Sequence, residues 1–345
     1  MDKLCQSGYI RRLHKSRKGI ARLACAAALW ASGCGSHHQI RIAVIPPTDG
    51  TAQWEPVHTG VQTAANQVGV SIYWNAPTRE DDVEAQIALV NHVVSENYNG
   101  LVLAPDQALA LITPVRRALA HGIPTVIIGS PLPISPGGDL FYIVNDDFEA
   151  GHIAAQRVAR LLNGRGTVAI LGINPDVASI MIRTRAFEEF VARDYPDIRI
   201  VDRRMGSFNV PHEQQVAEDT LRTNPKLDVI VSQMSTTTDG ALAALDASPE
   251  RRTTKVIGFD SVDSLGYLGS FDQRPALDCV IQQDTRAMGR RAIELIHAKL
   301  LGMPVPALVH LPPRLITREN VNTPEIRQML SMDFELGHWH WSPIQ

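Results

Sequence analysis

What most constrains this chain is an alternation, sustained from about residue 40 to residue 283, of short β-rich runs with stretches of helical spacing. The β-rich runs stand at 40–45, 70–74, 100–103, 125–128 and 142–144, and again at 167–171, 198–201, 229–231, 255–259 and 276–281. Between them, the apolar positions of 57–68 fall at 57, 61, 64, 65 and 68, and those of 83–94 at 83, 87, 90, 93 and 94. Each set lies on one face of a 3.6-residue helix. Continuous apolar strands separated by amphipathic helices predict parallel sheet covered on both faces, since a parallel strand needs a crossover and has no wet side. Ten such runs are too many for one compact open sheet in 345 residues. The expected fold class is therefore α/β, two doubly wound parallel-sheet lobes with a seam at Asn145, Asp146 and Asp147. Loops at the carboxyl ends of both sets of strands would then face one cleft.

Charge narrows the function. Residues 1–33 carry seven of the 33 Lys and Arg (Lys3, Arg11, Arg12, Lys15, Arg17, Lys18, Arg22) and one of the 36 Asp and Glu, so the remaining body is net −9. A body that acidic offers no electrostatic footprint for nucleic acid. The basic opening leads into an uncharged stretch, 23–33, and then Cys34. That order is a secretory signal, and eleven residues at about 1.5 Å each fall short of the ~30 Å of a bilayer core. Residues 1–33 are expected to be removed. Ala31, Ser32, Gly33 and Cys34 resemble the bacterial lipobox, with Ala where Leu is usual, which implies a lipid on Cys34 and a short tether over 34–39. An ordinary signal followed by an incidental Cys is the other reading. Of the remaining cysteines, Cys5 and Cys25 would leave with the signal, and Cys279 reads as a buried core residue, so neither a disulfide nor a thiolate metal site is expected.

No Gly-x-Ser-x-Gly elbow, Walker loop or His-Glu-x-x-His appears, and Gly164, Arg165 and Gly166 precede a strand instead of opening a helix. The 12 His fall in no catalytic constellation. Neither enzyme, cofactor nor metal is expected. His338 and His340 read as part of a solvated tail over 319–345.

Residues 100–105 (Gly-Leu-Val-Leu-Ala-Pro), 122–128 (Gly-Ile-Pro-Thr-Val-Ile-Ile), 145–151 (Asn-Asp-Asp-Phe-Glu-Ala-Gly) and 256–260 (Val-Ile-Gly-Phe-Asp) form an ordered set that resembles the periplasmic sugar-binding proteins of the ribose-binding type. The resemblance spans about 40–317. It implies a three-segment hinge, with an N-terminal lobe of 40–145 plus 284–307, a C-terminal lobe of 146–283 plus 308–318, and crossings near Asn145, Gln283 and Pro306. It further implies a monomer that captures a small polar ligand, in the first place a sugar, and delivers it to an ABC permease; a lipid-anchored sensor for a membrane partner is the alternative. Repressors of the lactose type share this core but carry a helix-turn-helix where this chain has its secretion signal.

By the same resemblance, Trp54, six residues before Gly60, is the aromatic platform for a sugar ring, although a Trp between loop and helix also serves as a core cap. Phe208 is the aromatic of the other lobe, or a core residue. Arg183, expected just ahead of a helix, donates a guanidinium fork to neighbouring hydroxyls. Asp260 accepts hydroxyl protons, or caps a helix. Gln283 is an amide contact beside the hinge. Two departures stand out: Gly129 and Ser130 replace an acidic residue followed by Arg or Ser, and Met234 and Ser235 replace an Asn or Asp. Gln53, Ser130, Asp147 and Ser235 are the substitutes available. Trp54, Arg183 and Asp260 are all expected at loop or element ends facing the cleft, where replacing them would not unfold the protein.

Overall fold

The computed structural model describes residues 39–49, 52–79, 81–248, 253–269 and 276–330. The expected leader 1–33, Cys34 with most of the expected tether, and the segment with His338 and His340 lie outside the described residues. Among the described residues no helix is long and apolar enough to cross a membrane.

Within 40–330 the strands form two six-stranded sheets. In the first, β1 (Arg41–Ile45), β2 (Ser71–Trp74), β3 (Gly100–Leu103), β4 (Thr125–Gly129), β5 (Leu140–Asn145) and β11 (Leu308–Leu311) lie in the order β11-β5-β4-β3-β1-β2, and every pairing is parallel. The second holds β6 (Gly166–Ile173), β7 (Ile198–Met205), β8 (Val229–Ser232), β9 (Lys255–Phe259), β10 (Leu277–Gln282) and β12 (Arg314–Thr317) in the order β12-β10-β9-β8-β6-β7. Only β12 runs antiparallel there. Strand order reverses between β1 and β3 in one sheet and between β6 and β8 in the other. At those points the loops diverge to opposite faces and leave a crevice at the carboxyl ends.

Helices cover both faces, as buried parallel strands demand. In the first lobe α1 (Glu55–Val68) packs on one face together with α9 (Thr285–Leu300), while α2 (Val83–Ser95) and α3 (Ile112–Ala120) take the other. In the second, α4 (Asp147–Leu161) and α5 (Ala178–Asp194) lie opposite α6 (Val210–Thr223), α7 (Ser235–Asp246) and the short α8 (Leu265–Gly269). Glycines bring paired helices into backbone contact. A Cβ on Gly60 of α1 would sit 2.1 Å from the Arg286 carbonyl oxygen, and one on Gly151 of α4 would sit 2.4 Å from that of Arg183.

The chain passes between lobes after β5, after β10 and after β11. The third crossing corrects an expectation. Residues 308–311 pair with β5 in the first sheet, and the crossing falls at Pro312 and Pro313 instead of near Pro306. Two consecutive residues without N–H groups cannot continue a ladder, so the stretch 308–317 forms two strands in different sheets. The segment after 318 is likewise more than a tail. Over Pro324–Leu330 it forms α10, and Val321, Ile326 and Met329 are buried in the core of the second lobe. Cys279 is fully buried on β10, and burial raises its thiol pKa well above the ordinary value.

Candidate functional site

Each lobe contributes side chains from the turns that leave its strands, and these meet around a cavity of about 90 Å³. On the same measure roughly 10–15 Å³ accommodates one water, so the space suits a single small molecule. From the first lobe the wall holds Gln53 and Trp54 after β1, Asp106 after β3, Gly129 at the end of β4 and Ser130 just after it. Arg183, Phe208, Ser235, Asp260 and Gln283 close it from the second. Eight of the nine candidate residues thus share one cavity.

Asp147 does not reach that wall. It is buried at the start of α4, its Oδ1 3.7 Å from Arg183 Nη1, and it accepts a 3.0 Å hydrogen bond from Asn145 Nδ2. It holds the arginine from behind. Burial pushes its carboxyl up to about 7, against the opposing pull of Arg183.

Arg183 is the centre of the second lobe's wall. It lies inside α5, not ahead of it, and is only 3% exposed. Its Nη1 donates to Asp260 Oδ2 at 2.6 Å, its Nη2 donates to the Gln233 carbonyl, and its guanidinium carbon stands 4.7 Å from the centre of the Phe259 ring. Nε has no partner among the described residues. A charge this buried is tolerable only because carboxylates and a carbonyl surround it. The arginine therefore ties parts of the lobe together as well as facing the cavity, from inside a helix and not from the element end that was expected.

Asp260 caps no helix, since α8 starts only at Leu265. It adopts a left-handed backbone with φ +53°, which Asp tolerates better than most residues. Its N–H donates to the Ile281 carbonyl at 3.1 Å, and its Oδ1 accepts the Gln283 N–H at 3.2 Å. These two bonds tie the turn after β9 to the crossing after β10 and aim the carboxylate at Arg183.

Trp54 serves both readings offered for it. It is nearly buried in the core under α1, and it also lines the cavity. Gly129, at φ +74°, lies under it: a Cβ there would be 3.5 Å from Trp54 Cη2. Phe208 is half-buried, borders the cavity and belongs to neither core cluster of its lobe. Ser130 Oγ accepts the Ser179 N–H at 3.3 Å across the cleft, and the Ala108 N–H donates to the Asp176 carbonyl at 3.4 Å beside it.

Helix ends add to the wall. Trp54, Val177 and Met234 stand at the N-caps of α1, α5 and α7 and give no side-chain cap, and all three line the cavity. Elsewhere Asp82, Asp146, Asn209 and Asp284 cap their helices. Leu111 of α3, away from the cavity, gives no side-chain cap either, and in α5 the first-turn Ser179 N–H is already taken by Ser130 Oγ.

Asp106 is the wall residue that sequence reasoning missed. Its signal was an acid three residues beyond an apolar strand that borders a switch point. Its N–H donates to Gln86 Oε1 at 3.0 Å, while Gln86 Nε2 donates to the carbonyls of Pro46 at 3.2 Å and Ala104 at 2.8 Å. This buried amide clamps the turns after β1 and β3 together.

Two doubly wound lobes that enclose one cavity at both switch points define a cleft-binding receptor. The model of the periplasmic binding protein domain family matches residues 42–303, and the chain belongs to that family. It is 23% identical over 273 residues to the D-apiose import binding protein of Paraburkholderia graminis, covering 79% of this chain and 82% of that protein. It is 24% identical over 272 residues to the D-allose-binding periplasmic protein of Escherichia coli, covering 76% and 86%. The fold matches a carbohydrate transporter solute binding protein from Agrobacterium radiobacter in complex with D-arabinose, with a TM-score of 0.76 and 22% identity over 86% of this chain and 100% of that one. The architecture is the type I periplasmic binding protein fold.

Proposed function

We propose that this protein is the extracytoplasmic receptor of an ABC-type importer, and that it captures a monosaccharide in the cleft between its lobes. The observation that carries the reading is the composition of the cavity wall. An indole and a phenyl ring supply apolar surface for the C–H faces of a sugar, and a guanidinium–carboxylate pair stands ready for its hydroxyls. Relatives named for apiose and allose binding support the same class of ligand. The role is capture and release without turnover, by a monomer, and Cys34 carries the lipid that keeps the protein at the membrane.

Thermal melts of the full chain with a panel of aldopentoses, aldohexoses and ketohexoses test the reading. A sugar at about a hundred times its dissociation constant stabilises the folded state by about 2.7 kcal/mol. Absence of any shift across the panel contradicts it, as does recovery of a chemically altered sugar. Fatty-acid labelling of wild type and not of Cys34→Ser tests the anchor; equal labelling of both contradicts it.

A further inference from the structure

The two carboxylates on the cavity wall are not equivalent. Asp260 is matched by Arg183 at 2.6 Å. Asp106, which enters the cavity from the first lobe, is 5% exposed, and its Oδ2 has no hydrogen-bond partner among the described residues. Its carboxylate accepts a hydrogen bond from the Asp81 backbone. The charged groups that act on it are Asp81 and Asp82, from the turn before α2, and Asp176, from the turn after β6 in the other lobe. All are acidic. Burial and this like charge raise its pKa to about 6, so it is ionised at neutral pH.

A buried anion among anions favours a cation opposite it. The described residues supply none to Asp106, and they contain no group of three or more His, Cys, Asp or Glu able to hold a metal ion. A protonated amine on the ligand would supply that cation. Asp106 lines the same cavity as the aromatic and guanidinium groups already described, so one small ring can engage all of them.

Resting on the proposed sugar-capturing role, we infer that Asp106 selects an amino sugar, its protonated amine paired with the Asp106 carboxylate. The other groups of the wall keep the functions given above. Asp106 is in this sense a specificity residue, separate from the Arg183 and Asp260 pair that receives hydroxyls.

Matched titrations of the full chain decide it. D-glucosamine, D-galactosamine, D-mannosamine and the corresponding aminodeoxypentoses serve as probes, each against its parent neutral sugar at pH 7.5. The expected result is that at least one amine binds about tenfold or more tighter than its parent, as a charge-assisted pair should. Asp106→Asn keeps an acceptor for the Asp81 N–H and removes a buried like charge, so its melting without ligand does not fall, while the preference drops to about onefold. Lowering the pH from 7.5 to 5 protonates Asp106 and weakens amine binding in wild type, and leaves Asp106→Asn unmoved. Parent sugars that bind as tightly as the amines overturn the inference and leave the sugar-receptor reading standing. A preference that persists in Asp106→Asn, or that ignores pH, overturns it too. If neither amines nor parents bind, both readings fall.

Discussion

The two walls of the cleft are built on opposite principles. In the second lobe the polar groups are already paired with one another: Arg183 is held by Asp260, Asp147 and the Gln233 carbonyl, and Asp260 is held by Gln283. The first lobe presents an indole over a glycine, a serine and a carboxylate with one free oxygen. One wall is therefore preorganised before any ligand arrives, and the other is completed by the ligand. A preorganised wall loses little entropy on binding, so the second lobe should supply most of the orientation and the first most of the selection.

The largest expected effect tests the preorganised wall. Arg183→Ala leaves Asp260 and Asp147 buried without their cation, and should destabilise the unliganded protein by about 3–5 kcal/mol. Arg183→Lys keeps the charge and loses the fork, so it should melt closer to wild type yet bind sugar far more weakly. Chemical denaturation alongside titration separates the two. A wild-type melt for Arg183→Ala would mean that the network does not hold the lobe.

Glycine replacements sharpen the contrast. Gly151→Ala and Gly60→Ala each drive a Cβ into a facing carbonyl, at 2.4 and 2.1 Å, and each should cost about 1–3 kcal/mol of stability. The Gly151 clash is with the carbonyl of Arg183 itself, so that variant should also lose more sugar affinity than Gly60→Ala. Equal losses would show that the two walls are equally rigid.

Asp147 gives a smaller, pH-dependent signature. Burial holds its folded-state carboxyl at about 7, above the ~3.9 of an unfolded chain. Between those values the folded form keeps a proton that the unfolded form has lost. Its stabilising contribution is thus fully present below about pH 4 and fades as the pH rises through 7. The melting temperature of wild type should therefore fall more between pH 5 and 7.5 than that of Asp147→Asn. Parallel curves would contradict the assignment. The smallest effect belongs to Ser130→Ala, which removes the hydroxyl that accepts the Ser179 N–H across the cleft. It should weaken sugar binding by about 0.5–1.5 kcal/mol by calorimetry.

Much of this was legible in the sequence because parallel sheet writes its apolar runs plainly, and because Gly60 fixed the register of α1. The third crossing was not. The resemblance put 308–318 in the second lobe as one segment, whereas Pro312 and Pro313 divide it between the two sheets. The start of α5 was hidden too: Val177 offers no capping side chain, so Arg183 seemed to precede the helix that contains it. Asp147 was placed at the cleft because only tertiary packing reveals that Arg183 lies in front of it. Asp106 was visible as an acid beyond a strand, but its isolation depends on Asp81 and Asp176, brought close by two different lobes.

The most direct test of the central claim, that one ligand is held jointly by both walls, is a crystal structure of the protein with the sugar that gives the largest thermal shift. The expected result is a ring against Trp54 of the first lobe, with hydrogen bonds to Arg183 and Asp260 of the second. A sugar that touches one lobe only, or that lies outside this cleft, would contradict it.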